Sequence, residues 1–160
     1  MRNYCFAGLT VVGLVGLASV VLWSASPATS EAHCQVPCGI YDDAARIARL
    51  REDTATIAKA TKQIADMAGG HGALAINQGV RWINTKELHA SHIIEVVSQY
   101  FLTQKVKPVA TGAAGYDAYL AKLADHHAVM VAAMKTKQQV DPAAVTALEG
   151  AIDALAQHYK

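Results

Sequence analysis

Charged side chains are scarce in this sequence. Asp, Glu, Lys and Arg make up 17% of 160 residues, and 14 basic against 13 acidic groups leave a formal charge of +1. So neutral a chain has no cationic surface with which to grip nucleic acid through its phosphates. It is not a disordered tail either, because 52% of it is hydrophobic, enough apolar surface to offset the entropy of ordering. Aromatic residues are few at 6%. No segment alternates apolar and polar residues with the period of a strand, which excludes a sheet as the main architecture. Cysteine is rare, with 3 in the chain. The length leaves room for one domain, and a helix-rich globular domain is what these exclusions leave.

The apolar residues are unevenly spread. From Asn3 to Ser30 there is no charge, and Phe6 to Trp23 is almost continuously apolar. The run follows a single basic residue, Arg2, and gives way to the small, polar tract Ser24 to Ala32, in which Ser30 and Ala32 meet the small-x-small rule for signal peptidase. Residues 1–32 therefore read as a cleavable signal peptide. The run is also close to the roughly 20 residues that span a bilayer, so it would serve as an anchor if left uncut. Cleavage after Ala32 starts the mature chain at His33, with 128 residues, 13 basic and 12 acidic. The product is exported, to a periplasm or beyond the cell. Cys5 leaves with the leader, and an exported protein with only Cys34 and Cys38 is ordinarily read as carrying a disulfide.

Downstream, apolar residues recur at helical spacing. Ile47, Leu50, Ile57, Ile64 and Met67 fall on one stripe with Arg46, Arg49, Glu52 and Lys59 between them. Asp42 and Asp43 cap that helix, and Gly69-Gly70 stops it. Ile76, Val80, Ile83, Ala90, Ile94, Val97 and Phe101 mark a second helix that ends before Pro108 and the loose tract 110–115. Leu120, Leu123, His127, Met130 and Met134 mark a third. After Asp141-Pro142, Val145, Leu148, Ile152 and Leu155 mark a fourth. Four amphipathic helices on short links bury their stripes most simply as an all-α antiparallel four-helix bundle over residues 42–160. Bundles host carriers, cytokines and enzymes alike, so the fold does not choose a function.

The densest group of metal-competent side chains is His33-Cys34-Gln35-Val36-Pro37-Cys38-Gly39-Ile40-Tyr41, at the start of the mature chain. Cleavage after Ala32 gives His33 a free α-amine. That amine, the His33 imidazole, the Cys34 amide nitrogen and the Cys34 thiolate are then neighbours that close small chelate rings. Cys38 adds a second thiolate once the chain turns back, with Pro37 and Gly39 supplying the fixed and the permissive backbone angles. Amine, deprotonated amide and two thiolates suit the square-planar preference of Ni(II) or Cu(II), whereas Zn(II) asks for a tetrahedron. The anionic donors also stabilise a higher oxidation state.

The pattern His-Cys-x-x-Pro-Cys-Gly-x-Tyr at a processed N-terminus resembles the nickel hook of the nickel superoxide dismutase family. The match holds at every fixed position over residues 33–41 and extends more loosely over the mature chain, since that family also folds as a four-helix bundle. The resemblance implies a nickel ion held by the amine and, when oxidised, the ring of His33, by the amide and thiolate of Cys34, and by the thiolate of Cys38. Tyr41 would stand at the mouth, ordering water and small anions, and the Val36-Pro37 bond would be cis. The implied reaction is disproportionation of superoxide to oxygen and hydrogen peroxide with Ni(III)/Ni(II) alternation, in a homohexamer. No nucleic-acid partner is implied, and contact with a membrane only through an uncut leader.

The chain departs from that family in places. Gln35 stands where some members carry Asp. The Glu and Arg that orient the histidine ring in well-described members fall at Ala48 or Arg49 and at Thr85 here, so Glu52 and Arg81, about one turn away, are the nearest substitutes. His89 and His92 share a helix face, and His126 and His127 are adjacent. None has a recognised ligand spacing, since Glu87 is followed three residues later by Ala90 and not by His, so they read as surface or packing histidines. Trp82, Tyr100 and Phe101 read as core or interface residues. The competing readings are an exported non-enzymatic helical protein with a Cys34-Cys38 disulfide, and a metal carrier using the same donors without turnover.

Overall fold

The computed structural model describes residues 39–160; the leader and residues 33–38 of the hook lie outside them. Helix α1 spans Asp43–Asp66 and α2 spans Ala73–Glu95. The second helix continues without a break as a π-helical stretch, Val96–Lys105. Helix α3 is Tyr116–Gln138, α4 is Pro142–Ala156, and a 3₁₀ turn, Gln157–Tyr159, closes the chain. No strand occurs among the described residues, and no described helix is long and apolar enough to cross a membrane.

The helix starts follow from local chemistry. Asp42 caps α1 by accepting from the Ala45 amide at 2.9 Å, and Asp43 places negative charge in the first turn, where the helix dipole favours it. Asp141 caps α4 by accepting from the Ala143 amide at 2.8 Å, with Pro142 as the first helical residue. Helix α3 lacks a side-chain cap and begins instead from Gly115 at φ +87°, a backbone angle open at little cost only to glycine.

Helix α1 packs on α2 and α4, and α3 packs on the same two. Short links make successive helices antiparallel, so the four close into a bundle in chain order. Leu50 and Ile57 of α1, Ile93 of α2, Val97 and Phe101 of the π stretch, Val129 of α3 and Leu148, Ile152 and Leu155 of α4 are fully buried. Each such side chain contributes about 1.5–3 kcal/mol relative to exposure. The stripes expected for α1 and α4 are the faces that the structure buries at Ile47, Leu50, Ile57, Val145, Leu148, Ile152 and Leu155, with Ile64 and Met67 half-buried.

Two stripes need correction. On α3 the buried face is His126, Val129, Ala133 and Thr136. Leu120 and Met134 are 43% and 42% exposed, His127 is exposed, and Leu123 and Met130 sit half-buried at the flank. Apolar residues surround this helix, and the face one position away wins because Ala132 and Ala133 allow close approach and His126 finds partners inside. Its Nδ1–H donates to the Lys122 carbonyl at 2.6 Å, and its Nε2 accepts from the Tyr159 hydroxyl at 2.7 Å. The Tyr159 ring packs 4.5 Å from that of Phe101, and His158 meets Asp125 at 2.6 Å, so the last turn is clasped to α3. Burial lowers the His126 pKa.

On α2 the first half of the expected stripe is solvent-exposed. Ile76, Val80 and Ile83 are 60%, 51% and 44% exposed, beside Leu74. The cause is where α3 stops. Buried Lys86 donates from Nζ to the carbonyls of Thr136, Lys137 and Gln139 at 2.5, 2.7 and 3.2 Å, so the C-terminus of α3 lies level with Lys86. The thirteen residues of α2 before Lys86, about 20 Å of helix, project past that end with no α3 to cover them.

Candidate active site

The chain enters the described structure at Gly39, whose φ of +78° supplies the turn that follows Cys38. Ile40 is 81% exposed. Tyr41 comes next, and its ring is held on two sides. The Tyr100 ring meets it edge-on at 5.8 Å, and the Lys105 ammonium lies 4.5 Å from its centroid, a distance at which cation and ring attract. Tyr41 itself remains 38% exposed, so its body is fixed while its surface faces solvent.

Asp43 organises the ground beneath it. Tyr100 donates its hydroxyl to Asp43 Oδ1 at 2.7 Å, and Lys105 Nζ pairs with Asp43 Oδ2 at 3.1 Å. The Arg46 guanidinium covers the Tyr100 ring at 5.0 Å. Tyr100 is 4% exposed; burial, with the neighbouring Asp43 carboxylate, raises its pKa far above the ordinary phenol range. The Tyr100 proton therefore stays on its oxygen and serves Asp43.

The π-helical stretch makes this cluster possible. In an α-helix, residues five apart point about 140° away from each other. The i to i+5 pairing of a π-helix widens the turn and brings residues five apart toward one side, and the Val106 amide bonds the Phe101 carbonyl in that pattern at 2.9 Å. Tyr100 and Lys105 are five apart, and here they reach the two oxygens of one carboxylate. Phe101 meanwhile points to the core against His126 and Tyr159.

The other residues of interest fall elsewhere. Glu52 is exposed and pairs with Arg49 at 3.0 Å, while Arg81 is exposed and makes no ion pair among the described residues, so the two are not brought together. Trp82 is half-buried beneath the Lys59 ammonium at 5.7 Å. His126 is a packing histidine and His127 a surface one, in keeping with the sequence. His89 and His92 lie partly exposed on α2, and each ring meets one oxygen of Asp53, itself 1% exposed. Among the described residues no three of His, Cys, Asp and Glu are gathered to hold a metal. His33, Cys34 and Cys38, and the Val36-Pro37 bond, lie outside those residues.

A family model for nickel-containing superoxide dismutase matches residues 28–160, beginning just before the His33 pattern and running to the end of the bundle. The chain belongs to the nickel-containing superoxide dismutase family. Searches of curated proteins and of solved structures gave no match. As a nickel superoxide dismutase the chain is an enzyme, its cofactor is nickel and its substrate is superoxide. The donors available suit that ion. A histidine and two cysteines precede Tyr41, and nitrogen with thiolate sulfur is a set that square-planar nickel accepts.

Proposed function

We propose that the mature enzyme begins at His33 and that His33, Cys34 and Cys38 hold the nickel ion, with Tyr41 at the open side. The family match spanning the hook pattern and the bundle carries this reading. Bound there, nickel supplies a one-electron Ni(III)/Ni(II) couple. The net reaction takes two superoxide ions and two protons to one oxygen and one hydrogen peroxide.

The chain's own groups provide position and charge. Lys105 adds positive potential at the face of Tyr41, which favours approach of an anion. Tyr100 and Lys105 fix the Tyr41 ring so that its hydroxyl orders water or substrate at one place. Because Tyr100 is committed to Asp43, Tyr41, ordered water or a cysteine thiol is left to deliver protons. The protein is exported, its leader is residues 1–32, and its subunits assemble as a homohexamer through the exposed apolar residues of α2.

Intact mass with metal analysis of the purified protein, paired with a superoxide assay before and after chelation, tests the reading. A mass starting at His33, one nickel per chain and chelator-sensitive activity are expected. A metal-free, disulfide-bonded chain that stays inactive when reduced and given nickel would sink it.

A further inference from the structure

Asp53 lies ten residues beyond Asp43 on α1, about 15 Å along the helix and away from Tyr41. Its side chain is 1% exposed, yet each oxygen is used: Oδ1 lies 2.6 Å from His89 Nδ1 and Oδ2 lies 2.6 Å from His92 Nδ1. An ionised carboxylate only accepts, so both rings donate from Nδ1–H. That fixes the tautomer of each neutral ring and leaves each Nε2 a bare acceptor. Neither Nε2 has a partner among the described residues. Spacing of three residues puts the rings side by side on α2, and their side chains are 25% and 37% exposed. They line an open depression of about 270 Å³ whose rim includes Arg49, Ser91 and Glu95.

We propose that His89 and His92 form a second cation site, in which the two Nε2 atoms bind one divalent transition-metal ion of borderline softness, with water completing its shell. Imidazole nitrogen suits zinc, copper and nickel ions. A histidine that ligates a metal almost always donates its other ring nitrogen to a carboxylate or carbonyl, which orients the ring and raises its basicity. Asp53 does this for two rings at once, from a position water does not reach. Two ligands make an open, exchangeable site and not a closed cage. Arg49, 3.8 Å from Asp53 Oδ1, opposes a cation, but its guanidinium also faces Glu52 at 3.0 Å, and Glu95 adds a carboxylate to the rim.

The test uses the full chain with Cys34→Ser and Cys38→Ser, so that the hook thiolates do not compete, titrated with Zn²⁺ while imidazole ¹⁵N resonances are followed. The Nε2 signals of His89 and His92 are expected to shift together and saturate at one equivalent, with both Nδ1 protons retained. His89→Gln with His92→Gln, which keeps a side-chain donor for Asp53, loses that equivalent. Asp53→Asn weakens it by about 10- to 100-fold. Removing the exposed histidines by His71→Gln and His127→Gln changes nothing. Unmoved His89 and His92 resonances at one equivalent overturn the proposal, and this readout needs neither histidine variant to fold. An undiminished zinc count in a folded His89→Gln, His92→Gln chain overturns it too.

Discussion

Tyr41 and Tyr100 touch each other and do different work. Tyr41→Phe keeps the ring against Tyr100 and Lys105 and removes only the hydroxyl, so melting temperature should hold while kcat/KM for superoxide falls by about tenfold or more. Steady-state rates on nickel-loaded enzyme check this, and an unchanged rate would remove Tyr41 from the chemistry. Tyr100→Phe removes the donor to Asp43 and leaves a half-buried carboxylate with Lys105 alone. A loss of about 1–2 kcal/mol in urea unfolding is expected, with a fall in activity because the Tyr41 ring loses its order. Of this cluster only Tyr41 was legible in the sequence, through the hook pattern. Asp43 read as a cap, and Tyr100 and Lys105 stood five apart, a spacing that helical reasoning at 3.6 residues per turn puts on different faces. Asp53 was hidden for another reason. A lone carboxylate in an amphipathic helix reads as solvated, and nothing local to α1 discloses that two imidazoles from α2 cover it.

At the scale of the element, α1 and α4 were legible because each has one apolar stripe and a side-chain cap, and both signals are local. Helix α3 has apolar residues on every side, so its core face was decided by partners on other helices, chiefly the fit of His126 beneath Tyr159. That fit makes stability pH-dependent. Burial lowers the His126 pKa from the ordinary 6.5, so below that value the unfolded chain takes up a proton that the fold refuses. Stability is full above pH 6.5 and falls as pH drops from there toward the folded value. Thermal melts between pH 8 and pH 5 should show the decline, at most about 1.4 kcal/mol per pH unit for one proton, and His126→Gln should flatten it. The other end of α3 depends on Lys86. Replacing it by Met removes a charged donor from three terminal carbonyls and should cost about 2–3 kcal/mol, read from the shift in denaturant midpoint.

For the whole molecule, the order of the four helices was legible and the height at which each one stops was not, because no sequence signal says that Lys86 of α2 meets the end of α3. The exposed Leu74, Ile76, Val80 and Ile83 follow from that mismatch. If subunits associate there, Val80→Glu with Ile83→Glu should give monomers in light scattering while leaving the fold intact, since neither residue is in the core. A leader made uncleavable at Ala32 should abolish activity in the nickel-loaded protein, because His33 then has no free amine. The lysine nail at Lys86 also divides the chain into a part with four helices around a core and a part with only two. In a single subunit the paired ends of α1 and α2 beyond that level should surrender their amide protons to deuterium well before the rest. Assembly should slow that exchange without altering it below the nail, so a map of deuterium uptake against concentration would trace where one subunit ends and its neighbour begins.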